Sequence, residues 1–207
     1  MSQAADKSVA LGKPRRRGRK SLAWSARPKD PAPRGTISVK SVRASAGEGK
    51  HRVAIAYHSS KGVDDYVRQV VNATPMQVVE IERAGVVGAF IKDLSKRMGI
   101  PSSRIFSILG IPKATAEKKA AAGEMVAGSG GQAAIGMVKL LGIAQEIVAN
   151  STAPEARDFD AAKWLGLWIE RPQPSLGGRK PADLLDTPTG IEVVGRLLGS
   201  IESGAYQ

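Results

Sequence analysis

The sequence predicts an all-α protein, and three observations predict it. From Val63 onward apolar residues recur at three- and four-residue spacing, Gly or Pro falls at the breaks between these runs, and no segment alternates with period two for long enough to build a sheet. The expected helices span, in order, 63–72, 75–84, 87–98, 102–109 and 113–122. Longer ones follow at 131–149 and 159–169, then a helical turn at 181–185 and a last helix at 188–203. At 207 residues the chain has room for one or two small domains.

The first 60 residues stand apart. They are rich in Pro, Gly, Ser and Ala, with too few large apolar groups to offset the entropy of ordering them, and are expected to form a disordered basic tail. The formal net charge is +12, but residues 1–60 hold 14 Lys and Arg against 3 acidic residues, leaving 17 against 16 for the remainder. The sharpest basic run is Lys13-Pro14-Arg15-Arg16-Arg17-Gly18-Arg19-Lys20. It either puts an Arg-Gly-Arg wedge into a narrow A·T minor groove or is a solvated tail that adheres to any polyanion. Arg52 to Tyr57 reads as a short strand without a partner.

Ala127-Gly128-Ser129-Gly130-Gly131 is the expected hinge between two lobes, 61–126 and 127–207. It is not a phosphate loop, because Gln132-Ala133 stand where Lys and Ser or Thr are required. Gly85-Val86-Val87-Gly88 fails for want of a preceding strand.

Within 61–126 the pattern suits a helix-turn-helix, whose second helix is pinned by apolar residues and polar on its outer face. In one register Ile91, Leu94, Met98 and Ile100 pack on Ile105 and Ile108, with Gly99 at the corner and Ser102, Ser103 and Ser107 outward. In the other, Gly110 makes the corner, Ile111 plugs the core and Lys113 to Ala122 form the reading helix. Seven basic residues against two acidic ones lie between 90 and 123, and phosphate neutralisation supplies much of the affinity of such modules. That charge favours the second register, with the first register's leading helix as support. The candidate DNA contacts are Lys113, Thr115, Lys118 and Lys119, with Ser102 and Arg104 on the preceding helix. The alternative is a bundle whose lysines are a solvated face.

Phe159 to Ile169 is apolar on nearly every side, so it is buried within its lobe or against another chain. Trp164 and Trp168 are placed to stack at i, i+4. Leu176-Gly177-Gly178-Arg179 supplies a reversal, Thr187 with Pro188 opens the last helix, and Ile191, Val194, Leu198 and Ile201 form its buried stripe.

Other classes are poorly supported. The two histidines, His51 and His58, lie in or beside the tail, and no carboxylate pair is set in an unusual apolar neighbourhood, so an enzyme is not expected. The absence of cysteine excludes a disulfide framework and suits a reducing, cytoplasmic compartment. Neither a run of about 18 apolar residues nor a secretory leader is apparent, so no membrane span is expected.

Trp164-Leu165, Leu176-Gly177-Gly178, Pro181, Leu184-Leu185-Asp186-Thr187, Gly190, Val194, Leu198, Ile201 and Gly204 resemble the toxin-binding domain of Xre/MbcA/ParS-type antitoxins. Upstream, Gly110-Ile111-Pro112-Lys113-Ala114-Thr115 resembles the helix-turn-helix that precedes it, so the likeness covers roughly 75–207. It implies a cytoplasmic, dimeric antitoxin that holds a RES-domain toxin inactive and represses its own operon by binding operator DNA. The toxin consumes NAD, and the antitoxin itself takes no cofactor. It implies that Gly204, Ala205, Tyr206 and Gln207 lie at the toxin's active-site entrance; Trp164 and Trp168, of which at least one is expected in the core, are the further candidate toxin contacts. The family's Arg-rich reading helix is replaced here by one with Lys118-Lys119. A stand-alone helix-turn-helix regulator without a toxin is the alternative.

Overall fold

A computed structural model describes residues 55–202. Trp24, His51, Lys13 to Lys20, the start of the Arg52–Tyr57 run and Gly204 to Gln207 lie outside the described residues. The helices are α1 (Gly62–Val71), α2 (Pro75–Ala84), α3 (Gly88–Met98), α4 (Ser102–Ile108), α5 (Lys113–Ala122), α6 (Gly128–Asn150), α7 (Ala161–Trp168) and α8 (Pro188–Glu202). The all-α expectation holds, and each helix falls within a few residues of its predicted span. The turn expected at 181–185 is a short 3-10 turn, Pro181–Asp183, with others at Pro154–Asp158 and Pro174–Leu176.

Local chemistry sets these boundaries. Thr74 caps α2 by accepting from the Gln77 backbone N–H at 3.3 Å while the Gln77 side chain accepts from the Thr74 N–H at 2.9 Å, a reciprocal capping box with Pro75 at the first position. Gly99 and Gly110 take left-handed φ of 69° and 64° at the two corners flanking α4, a region that side chains with a Cβ avoid. Asp160 caps α7 through the Lys163 N–H, and Thr187 caps α8 by accepting from the Gly190 N–H at 3.1 Å.

The core is organised around α6, which packs on α1, α2, α7 and α8. By length and composition α6 is apolar enough to cross a membrane. Its apolar face is instead buried in the fold, with Ala134, Ile135, Val138 and Leu141 inaccessible to solvent. Apolar burial on this scale is what holds the small elements of the chain in place. One small sheet was not foreseen: β1 (Val86–Val87) pairs antiparallel with β2 (Met125–Val126), joining the start of α3 to the end of α5. Two residues per strand are too few to leave a period-two signal.

The glycine run does not act as a hinge. Gly128 begins α6, Gly130 is closely packed by the Ile111 side chain, and a Cβ at Gly131 would collide with the Val126 carbonyl oxygen. These glycines allow a close backbone approach rather than free rotation. One packed unit takes in all the described residues, so the 126/127 division falls inside it. The packed part also starts before residue 60. Ile55 to Tyr57 form no strand, and the Tyr57 ring lies edge-on to Tyr66 and Phe90, with centroids 5.8 and 5.0 Å away.

Candidate functional site

Two exposed surfaces gather the residues singled out from the sequence. The first is α5. Ala116 is buried beneath it, and the backbone of α5 at Ala120 lies against Gly88 of α3. Lys113, Thr115 and Lys118 are exposed on this one helix. Lys113 sits 3.8 Å from Glu117, and the Lys119 ammonium donates to the Met125 carbonyl at 2.7 Å. Lys118 makes no ion pair among the described residues.

The two candidates on α4 face elsewhere. Ser102 shares a 2.7 Å hydrogen bond with Ser95. Arg104 forms a forked pair with Glu170, at 2.5 and 3.1 Å, and its guanidinium lies 3.8 Å from Asp183. The Arg104 hydrogen bonds pull the Glu170 carboxyl below its ordinary range, against the upward pull of burial, and Lys180 at 3.4 Å adds to the effect. Thus Lys113, Thr115 and Lys118 come together, while Ser102 and Arg104 are engaged within the fold.

The second surface is built by α7, α8 and the end of α6. Leu165, Ala162 and Ile169 are inaccessible and point into the core. Trp164 and Trp168 stack with centroids 5.9 Å apart and an interplanar angle of 20°. Their environments differ: Trp168 is only 8% exposed, whereas Trp164 is half-buried and touches Phe159 at 6.1 Å. Ile147, Val148, Ala153, Phe159, Trp164 and Ile201 line an open apolar groove of about 290 Å³. Phe159 in this lining is 43% exposed, and Leu167 on α7 is 62% exposed.

The reversal after α7 closes through the Gln173 and Arg179 backbones, with Gly177 and Gly178 at positive φ. Sequence reasoning paired the two tryptophans but missed Leu167 and the contribution of Ile147 and Val148. Leu167 could have been found, since it falls between the buried positions 165 and 168 on the helix. The α6 residues could not, because only tertiary packing brings them to the groove.

Comparison with known proteins addresses this second surface. A family model described as the antitoxin Xre/MbcA/ParS C-terminal toxin-binding domain matches residues 159–204. A curated relative, the Prs ADP-ribosylating antitoxin of Sphingobium sp. (strain YBL2), is 34% identical over 134 residues, which is 65% of this chain and 83% of the relative.

Proposed function

The chain belongs to the Xre/MbcA/ParS-type antitoxins, and from that premise we propose that it neutralises an NAD-consuming RES-domain toxin by covering the toxin's active site with its C-terminal end. One observation carries the reading: the segment that matches a toxin-binding domain supplies Phe159, Trp164 and Ile201 to one side of the apolar groove beside which α8 ends. Trp164, Phe159 and Leu167 offer the aromatic and aliphatic area that anchors protein interfaces. Trp168 supports Trp164 from beneath. Gly204, Ala205, Tyr206 and Gln207 continue from α8 and are assigned to the toxin's active-site entrance. The relative's name ties that protein to ADP-ribosylation, a reaction whose ADP-ribose comes from NAD, which supports an NAD-consuming partner. Inhibition by occlusion needs no catalytic group or cofactor in the antitoxin.

The same chain represses its own operon as a homodimer, with α4 and α5 as a helix-turn-helix. Lys113 and Lys118 meet phosphates and Thr115 reaches a base edge or phosphate. Lys119, Ser102 and Arg104 hold the reading unit in shape.

The test is co-expression with a cognate RES-domain toxin. Deleting Gly204 to Gln207 leaves the thermal transition unchanged and releases the toxin to stop growth. Protection undiminished by the deletion contradicts the reading.

A further inference from the structure

The apolar groove beside Trp164 has two walls of different origin. Phe159, Trp164 and Ile201 belong to the segment 159–204 that matches a toxin-binding domain. Ala144, Ile147 and Val148 of α6, with Ala153 and Ala156 at the turn after it, lie outside that match. This second wall is anchored in the core: Ala144 is buried, and Ile147 and Val148 pack against the central cluster. Because α6 also packs on α7 and α8, neither wall can close on the other, and the volume of about 290 Å³ stays open. A preformed concavity binds without first having to be ordered.

Its lining decides what can fill it. Ser151, Glu155 and the Trp164 indole N–H are the polar side-chain groups there. Glu155 is exposed and makes no ion pair among the described residues, while Arg157 and Asp158 of the same turn lie outside the lining. An apolar concavity with one unpaired carboxylate suits a bulky apolar side chain that has a cation beside it. A second copy meeting it groove to groove leaves both concavities unfilled and sets Glu155 against Glu155. The chain's own Ser203-Gly204-Ala205-Tyr206-Gln207 follows closely after Ile201 but brings no cation to Glu155. Continuity favours the toxin, since one wall is already the toxin-binding segment.

We propose that the end of α6 and the turn at Pro154–Asp158 complete the toxin-binding surface, and that the groove receives one bulky apolar side chain of the toxin whose neighbouring Lys or Arg meets Glu155. This rests on the toxin-binding function proposed above. It adds to the Gly204–Gln207 contact a separate anchor, half of which lies outside the matched segment.

The chain has no cysteine, so Ala153→Cys places a single thiol on the second wall. Its reaction with a water-soluble maleimide is followed in the full chain at low and high concentration, in the chain lacking residues 203–207, and with stoichiometric purified cognate RES-domain toxin. The thiol is expected to react freely without toxin and at least about tenfold more slowly with it. Ala153→Trp fills the groove from an exposed position and is expected to weaken toxin binding at least about tenfold by calorimetry, with an unchanged thermal midpoint. Glu155→Lys is expected to slow association about threefold or more at low salt, a difference that fades at high salt. A thiol equally reactive in the complex overturns the proposal, as does an Ala153→Trp chain that binds like the parent or a Glu155→Lys chain with an unaltered association rate. Protection in the toxin-free chain that grows with concentration assigns the groove to a second copy, and protection lost on removing residues 203–207 assigns it to the chain's own end; both overturn the proposal. A parent chain that does not bind the toxin contradicts the proposed function, and the groove falls with it. A parent that binds with the thiol still reactive defeats the groove alone.

Discussion

The Arg97 guanidinium and the Asp160 carboxylate, 63 positions apart in the chain, meet at 2.6 Å. The same guanidinium holds Asp64 at 2.9 Å, so one side chain of α3 joins α1 to the cap of α7. Burial, the largest single influence, raises the Asp160 pKa, but the hydrogen bonds from Arg97 and Lys163 and the Arg97 charge together outweigh it and hold the carboxyl down at about 2. The toxin-binding segment is thereby fixed to the helical unit before it, in place of the expected hinge.

Arg97→Ala is expected to destabilise the fold by about 1–2 kcal/mol in urea unfolding, since solvent reaches all three side chains and limits the gain from each charged hydrogen bond. The pH dependence has a definite sign. Asp160 is depressed from 3.8 to about 2, so its contribution is fully present above about pH 4 and is lost as the pH falls toward 2. The parent therefore loses its advantage over Asp160→Asn across that window. A constant difference between the two from pH 7 to pH 2 is the contrary result.

Gly166 gives a second test of the joint between α7 and α3. A Cβ at this position would collide with the Met98 carbonyl oxygen, backbone that cannot swing aside. Gly166→Ala is expected to cost about 1–3 kcal/mol, the range for overpacking a tight core, and to lower the thermal midpoint. An unchanged midpoint shows that the two helices are free to part.

Arg104 and Lys118 are predicted to behave in opposite ways, although the sequence offers both as candidate DNA contacts. Arg104→Ala leaves Glu170 without its forked partner and lowers stability by about 1–3 kcal/mol with little change in DNA affinity. Lys118→Ala changes stability by less than about 0.5 kcal/mol and weakens binding to the DNA upstream of its own gene. Parallel melting curves and anisotropy titrations check both.

Trp168 and its chain neighbour Leu167 divide similarly on the other surface. Trp168→Ala removes a buried ring and is expected to cost about 3–5 kcal/mol of stability. Leu167→Ala, at an exposed position, leaves the melt unchanged and weakens toxin binding by about 1 kcal/mol or more, read by calorimetry.

Helix positions were legible because capping residues, glycine corners and apolar spacing act within a few residues of one another, as at Thr74 with Gln77 and Thr187 with Gly190. The C-terminal pattern was legible for the same reason. Roles decided by long-range partners were not. Arg104 reads from the sequence as one more free cation, and only the fold brings Glu170 to it. The glycines at 130 and 131 read as freedom, while Ile111 and Val126 turn them into packing sites. The β1 and β2 pair, two residues each, is set by tertiary proximity rather than by pattern.

The most direct measurement of the central claim, that the C-terminal end plugs the toxin's active site, is NAD turnover by the purified RES-domain toxin titrated with this protein. The intact chain is predicted to abolish turnover at stoichiometric ratio. Tyr206→Ala and the chain lacking Gly204 to Gln207 are predicted to bind the toxin through the Trp164 surface yet leave turnover largely restored. Complete inhibition by the shortened chain would contradict the account.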